Sequence, residues 1–121
     1  MPDVRVLVVD DQQTFRRAIA AVVSETDGFV VVDSAASGED SLTAVDRLHP
    51  DLVLMDVNLP GIDGIEATRR MTLEPDAPVV VLLSTYDEDE IGTSGCGAAS
   101  YVSKAAFGPD RLAAIWAAAT R

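Results

Sequence analysis

The chain has 121 residues, 20 acidic and 9 basic, and a formal net charge of −11. Its length predicts one domain with a single core, and its charge argues against nucleic-acid binding by this chain, because phosphate backbones would be repelled. The lone cysteine, Cys96, excludes an intrachain disulfide, and without an initial apolar run of signal or membrane-spanning length a cytoplasmic, membrane-free setting is expected.

Strand and helix signals alternate along the chain. Five apolar runs, each too short for a helix, predict strands at residues 4–9, 29–32, 52–55, 79–83 and 98–102. Helical spacing predicts helices at 14–23, from Ser37 to a stop at His49-Pro50, at 65–71, and from Pro109 onward, with Leu112, Ile115 and Trp116 on the inner side of the last one. Such β-α units imply a parallel sheet that is covered on both faces and has right-handed crossovers.

The stretch 87–97 is a weaker signal. Only Ile91 and Cys96 are apolar, and Gly92, Gly95 and Gly97 interrupt the helical pattern. Each glycine lowers helix stability by about 1 kcal/mol relative to Ala. A fourth helix here is therefore expected to be short or frayed.

Polar residues follow four of the predicted strands. Asp10-Asp11 follows the first, Asp56 the third, Ser84 the fourth, and Lys104, the only lysine, the fifth. All should lie on the edge where a doubly wound sheet opens its crevice.

Carboxylates crowded together cannot all remain ionised without positive charge nearby. Mg²⁺ would supply that charge, because it takes oxygen ligands and keeps several waters. With Lys104 adding a second positive charge, a phosphoryl group could approach Asp56. Asp56 is then the predicted nucleophile, and the Ser84 hydroxyl is a donor to one phosphoryl oxygen.

Several separated motifs, in order, resemble the receiver domain of two-component response regulators. They are Val8-Val9-Asp10-Asp11, the run from Asp51 to Asp56 with Pro60-Gly61 and Asp63-Gly64, Leu83-Ser84-Thr85, and Tyr101-Val102-Ser103-Lys104. The resemblance covers essentially the whole chain. The amino-acid sequence around His49-Pro50-Asp51 and Ser84-Thr85-Tyr86-Asp87 is most similar to that of receivers of the NarL/LuxR type, which carry helix-turn-helix DNA-binding domains.

The resemblance implies an α/β fold of the flavodoxin-like receiver type, with a doubly wound, five-stranded parallel sheet in the order 2-1-3-4-5. It implies one receiver domain over residues 1–121, with no output domain in this chain. The function it implies is a phosphorylation-activated switch that takes its phosphoryl group from a histidine kinase in an Mg²⁺-dependent reaction. Transcription regulation would act through an output domain that this chain lacks, and a homodimer is expected only by analogy with the family.

The resemblance also assigns roles to individual residues. Asp56 would be the phosphoacceptor, Lys104 would pair with the phosphoryl group, and Ser84 and Tyr101 would change position in the switch. Asp11, Asp56 and the backbone carbonyl of Asn58 would bind Mg²⁺, with Asp10 acting directly or through water. Asn58 and Tyr86 would tune the rate of dephosphorylation. The interval from Ser84 to Lys104 is about two residues shorter than the family pattern leads one to expect, so the output face is expected to be unusual.

Each assignment has a simpler alternative. Asp10-Asp11 could cap the first helix, and Ser84 or Thr85 could cap the fourth. Lys104 could be a solvated surface charge, and Tyr101 an ordinary half-buried aromatic. Separately, Cys96 and Trp116 are expected to be packing residues, and a phosphohistidine at His49 is disfavoured.

Two other functions are compatible with parts of the pattern. An Asp-nucleophile phosphatase resembling haloacid-dehalogenase-type enzymes would need an acid two residues after Asp56, where this chain has Asn58. A flavodoxin-like FMN carrier would need a phosphate cradle where this chain has Asp10-Asp11. A phosphorylation switch without enzymatic activity beyond its own phosphorylation and dephosphorylation is therefore preferred, either as part of a longer regulator or as a free-standing receiver.

Overall fold

The structure, a computed structural model, describes residues 3–85 and 96–120. Its elements in chain order are β1 (Val4–Val9), α1 (Gln13–Ser24), β2 (Phe29–Ala35), α2 (Gly38–Leu48), β3 (Leu52–Asp56), α3 (Gly64–Thr72), β4 (Val79–Ser84), β5 (Ser100–Ser103), a 3-10 turn (Lys104–Ala106) and α4 (Pro109–Ala119). The five strands pair in parallel in the order β2-β1-β3-β4-β5. The predicted fold class is therefore confirmed.

The central strand β3 is buried on both faces, as its unbroken apolar run predicts. Val53 and Met55 pack into a core with the buried residues of α2 and α3, whereas Leu52 and Leu54 pack into a second core with those of α1 and α4. Because side chains alternate along a strand, one short run serves both layers. This packing fixes β3, and with it the position of Asp56 at its carboxyl end.

Two strand boundaries differ from the predicted ones by more than one residue. β2 continues past residue 32 to Ala35, because a register shift opposite Val6 and Leu7 leaves Val32 unpaired in the ladder and pairing resumes at Asp33. β5 begins at Ser100 instead of residue 98, because its pairing with β4 starts opposite Val81. β2 gains the polar residues Asp33 and Ser34, whereas β5 loses Ala98 and Ala99, so in neither edge strand does the apolar run coincide with the paired residues.

The helix termini follow the predicted punctuation. Ser37 precedes α2 and accepts a hydrogen bond from the Asp40 N–H at 3.0 Å. α2 ends at Leu48; the next residue, His49, has a left-handed φ of 48°, and Pro50 cannot continue the helix. α4 begins with Pro109, as predicted.

The predicted packing residues are confirmed. Cys96 is a free thiol that is only 2% exposed, and Trp116 packs edge-on against Phe29 with a centroid distance of 6.3 Å. The weak helix expected at 87–97 is distinct from α4. Most of it falls on residues 86–95, which lie outside the described residues, so it stays a prediction. Among the residues described, no helix has the length and apolar character needed to cross a membrane.

Candidate functional site

The strand register brings the predicted site residues to one edge of the sheet. Val9 pairs with Met55, so Asp10 and Asp56 leave neighbouring strands side by side. On the other flank Asp56 pairs with Leu83, which directly precedes Ser84. Ser84 in turn pairs with Ser103, which precedes Lys104. Four strands thus deliver their polar ends to one place.

Three carboxylates converge at this edge. Carboxylate oxygens of Asp10, Asp11 and Asp56 all lie within 4.8 Å of one another. Asp10 and Asp56 are buried, whereas Asp11 is exposed. One side of the cluster is therefore open to water and to a ligand.

Lys104 lies against this cluster. Its Nζ is 2.8 Å from Asp10 Oδ2 and 3.5 Å from Asp56 Oδ1, and the side chain is only 12% exposed. The alternative in which Lys104 is a solvated surface charge is therefore wrong. The ammonium group lies between two carboxylates from different strands, with Asp10 as its closer partner.

Hydrogen bonds hold both the side chain and the backbone carbonyl of Asp10. Its Oδ1 accepts the Gln12 N–H at 2.9 Å, its Oδ2 accepts from Lys104, and its carbonyl oxygen accepts from Arg16 Nη1 at 2.7 Å. The residue at the N-cap position of α1 is Gln12, and it makes no side-chain cap bond. Simple helix capping by Asp10 or Asp11 therefore does not account for the pair.

The environment of Asp56 disfavours its charged form. Burial raises the pKa of Asp56 from 3.8 to about 6, and the neighbouring Asp10 contributes to the rise. Lys104 and the Asn58 N–H, which donates to Asp56 Oδ1 at 3.3 Å, act in the opposite direction but do not cancel it. Within the described residues, the site therefore carries more negative charge than its lysine offsets.

This donor set suits a hard divalent cation. All three side chains offer carboxylate oxygens, the ligand type that Mg²⁺ prefers, and two or fewer carboxylates plus waters are enough for that ion. Burial and, second, the neighbouring Asp10 raise the pKa of Asp56, and a bound cation would counter both by favouring the charged form. The residues therefore fit Mg²⁺.

The turn after β3 holds Asp56 in place. A Cβ on Gly64 would overlap the Asp56 carbonyl oxygen and lie 2.9 Å from Val57 Cα, so only glycine fits there. Asp63 precedes α3 and accepts the Glu66 N–H at 2.8 Å. The Asp63-Gly64 pair thus starts a helix directly against the strand end that carries Asp56.

The remaining predicted residues lie at different distances from the cluster. Ser84 is the fully buried last residue of β4, and Asn58 is exposed just after Asp56. Tyr101 is half-buried on β5 and packs against the core beneath α2 and α3. The rate-tuning role predicted for Tyr86 lies outside the described residues, as does any helix that Ser84 or Thr85 would cap.

Two residues of α1 that the sequence did not single out also reach the site. Arg16 donates to the Asp10 carbonyl, and the Phe15 ring lies against Lys104, with Nζ 3.9 Å from the ring centroid. The signal available in the sequence was their position in the first turn of a helix that follows Asp10-Asp11 closely.

Comparisons with known proteins identify the family to which the chain is similar. Residues 6–116 match the family described as Response regulator receiver domain. The chain is 42% identical over 114 residues to response regulator GacA of Pseudomonas viridiflava, an alignment that covers 93% of this chain and 53% of GacA. The chain thus spans about half the length of that relative.

Solved structures show the same fold. The signal receiver domain of NarL from Mycobacterium tuberculosis superposes with a TM-score of 0.90 at 28% identity, covering 100% of both chains. The response regulator domain of Thermotoga maritima CheB gives 0.83 at 26% identity, covering 98% of both. With the sequence match over nearly its whole length, the chain belongs to the response regulator receiver domain family.

Proposed function

We propose that this chain is a phosphorylation-controlled switch that accepts a phosphoryl group on Asp56 from a histidine kinase. The observation that carries the proposal is the position of Asp56, buried at the end of β3 beside Asp10, Lys104 and the exposed Asp11. A carboxylate destabilised by burial, with a cation in contact and one open side, suits nucleophilic attack on an incoming phosphoryl group.

In the transfer, a carboxylate oxygen of Asp56 attacks the phosphorus of a phosphohistidine. The new P–O bond forms an acyl phosphate while the P–N bond breaks, and the imidazole leaves with a proton taken from solvent. Lys104, which contacts Asp56 Oδ1 at 3.5 Å, would neutralise charge on the phosphoryl oxygens. The hydroxyl of Ser84, at the end of the adjacent strand, would donate to one of them.

Mg²⁺ would be held by Asp11, Asp56 and the backbone carbonyl of Asn58, with Asp10 acting directly or through water. When bound, it supplies positive charge that offsets the charge on the transferring group. The hydrogen bonds from the Gln12 N–H and from Lys104 hold the Asp10 carboxylate within the acidic cluster. Asn58 and Tyr86 would tune the rate at which the acyl phosphate is hydrolysed.

The switch itself would involve Ser84 and Tyr101. Ser84 lies next to Asp56 across the sheet edge, and Tyr101 lies on the adjoining strand β5. A phosphoryl group that binds the Ser84 hydroxyl would favour one of two arrangements of this region. If so, amide hydrogen exchange of β5 should change when beryllofluoride is added, and equal exchange rates in both states would contradict this part of the proposal.

The downstream output belongs to a longer protein in this proposal. The chain matches about half of GacA, which is described as a response regulator, and its receiver neighbours include NarL. From the resemblance to receivers of the NarL/LuxR type, we propose that residues 1–121 precede a DNA-binding output domain in a cytoplasmic transcription regulator, with a homodimer expected only by analogy with the family. In the alternative, the chain is a free-standing receiver, and its conformational change acts on a separate partner protein.

The phosphatase alternative is less well supported. Asn58, two residues after Asp56, is exposed and has no proton suited to a leaving group. Sustained turnover of para-nitrophenyl phosphate, well beyond one phosphate per Asp56, would favour the phosphatase over the switch.

Labelling with acetyl phosphate tests the proposal. Asp56→Asn should abolish labelling, whereas Asp46→Asn, which changes an exposed carboxylate on α2, should label like the unmodified protein. Intact-protein mass spectrometry reads both. Labelling that survives in Asp56→Asn would overturn the assignment of the acceptor.

A further inference from the structure

The ammonium group of Lys104 has a third neighbour besides its two carboxylates. The Phe15 ring of α1 lies with its centroid 3.9 Å from Lys104 Nζ, well inside the roughly 6 Å over which a cation is attracted to an aromatic face. The carboxylate partners, Asp10 and Asp56, are at 2.8 and 3.5 Å. The three N–H groups of the ammonium thus have two acceptors and one aromatic face within reach.

The ring and Lys104 also line the same cavity. An apolar cavity of about 130 Å³ is lined by Phe15, Ala18, Ile19, Val22, Leu83, Lys104 and Phe107. Lys104 remains only 12% exposed beside it. The Phe15 face therefore offers the ammonium a favourable electrostatic contact from the side of α1.

We propose that Phe15 is a positioning residue for Lys104, holding the ammonium toward the carboxylates so that it is in place when a phosphoryl group reaches Asp56. This inference rests on the proposed function. It predicts that the negative potential of the ring face, and not only its volume, sets the rate of phosphorylation. Leucine at this position would fill much of the space but offer no such face.

The first test measures labelling rates with acetyl phosphate, a small donor that needs no protein docking surface. Phe15→Leu should slow labelling about five- to thirty-fold, the range expected for a partly desolvated cation and an aromatic face, and Phe15→Tyr should restore most of the rate. Phe29→Leu is the matched control, because Phe29 is another partly buried phenylalanine, one that packs against Trp116 and the core beneath α1 and α4. It should lower the melting temperature without slowing labelling beyond two-fold.

A second test separates electrostatics from packing. Phenylalanines with one, two or three ring fluorines, incorporated at position 15, keep the ring's shape while weakening its negative face. Labelling should slow progressively with each fluorine at an unchanged melting temperature. Equal rates across the series, or a Phe15→Leu rate equal to that of Phe29→Leu, would overturn the inference.

Asp56→Asn, measured in parallel, distinguishes a failure of the proposed acceptor from a failure of the proposed role of Phe15. If Asp56→Asn still labels, the proposed acceptor is wrong whatever position 15 does. If Asp56→Asn blocks labelling and the position 15 series has no effect, the proposed function stands and the role of Phe15 fails.

Discussion

At the scale of single residues, the features that destabilise Asp56 are those that suit it to accept a phosphoryl group. Burial and the adjacent Asp10 raise its pKa to about 6, although Lys104 lies within 3.5 Å. A carboxylate exposed to water would not need a nearby positive charge to remain ionised. The resting protein therefore carries electrostatic repulsion that a cation can relieve.

This raised pKa predicts how stability depends on pH in the absence of metal. Between pH 4 and 6 the folded protein binds more protons at Asp56 than the unfolded chain does, so stability from this group is present at low pH and is lost as pH rises through about 6. The rise from 3.8 corresponds to at most about 3 kcal/mol. Urea unfolding in EDTA should show this decline in the unmodified protein and not in Asp56→Asn. The same slope in both proteins would contradict the assignment.

Part of this site could be read from the sequence, because polar residues that end apolar runs must meet at one sheet edge. That argument predicted the meeting of Asp10, Asp56 and Lys104. It did not predict that Lys104 would contact Asp10 more closely than Asp56, or that Phe15 would face the ammonium. Those contacts depend on side-chain conformations across three elements, which spacing along the chain does not determine.

At the scale of elements, the turn between β3 and α3 is the most constrained part of the site. α3 starts so close to the end of β3 that its first residue, Gly64, has no room for a Cβ beside the Asp56 carbonyl. The Gly64 N–H also donates to the Val57 carbonyl at 2.9 Å. The direction of Asp56 therefore depends on where this helix begins.

Gly64→Ala should consequently affect both stability and chemistry. Forcing a methyl group against the strand backbone should destabilise the protein by about 1–3 kcal/mol and slow labelling by acetyl phosphate. Gly108→Ser is the control, because a Cβ there meets nothing within 4 Å and Gly108 precedes α4 at a position where serine is favourable. Urea unfolding checks both variants, and equal stabilities would contradict the proposed close approach.

Asp63 makes a separate, milder prediction at the start of the same helix. Its side chain accepts the Glu66 N–H at 2.8 Å, so Asp63→Ala should cost about 1 kcal/mol. Because Asp63 does not contact the acidic cluster, labelling at Asp56 should persist. Loss of labelling at unchanged stability would instead place Asp63 in the site.

Helix starts were predicted well because their signals are local, as Ser37 and Pro109 illustrate. Strand ends were predicted less well. The continuation of β2 to Ala35 and the start of β5 at Ser100 depend on pairing with neighbouring strands, which local composition does not reveal.

At the scale of the whole molecule, the alternation of strands and helices was enough to predict a parallel sheet covered on both faces. The strand order itself came from family resemblance, because alternation alone does not say which strands are neighbours. That order matters for function, since it places β1 and β4 on either side of β3. Asp10 and Ser84 thereby flank Asp56.

The net charge of −11 and the buried acidic cluster together predict that Mg²⁺ stabilises the fold. At ten times its dissociation constant, Mg²⁺ should add about 1.4 kcal/mol. The effect should be smaller in Asp11→Asn, which lacks the exposed ligand. Melting temperatures should be compared at equal ionic strength in NaCl, because general screening would also favour a highly charged protein. Equal melting temperatures in both salts would contradict a specific cation site.

The most direct measurement of the central claim is the dependence of phosphoryl labelling on Mg²⁺, with the labelled residue mapped by peptide mass spectrometry. The protein is treated with acetyl phosphate in Mg²⁺ or in EDTA at matched ionic strength. The predicted result is a label confined to the peptide that contains Asp56, formed rapidly with Mg²⁺ and barely without it. Equal labelling in EDTA, or a label on any other residue, would contradict the claim that the converging strand ends form a cation-assisted phosphoacceptor.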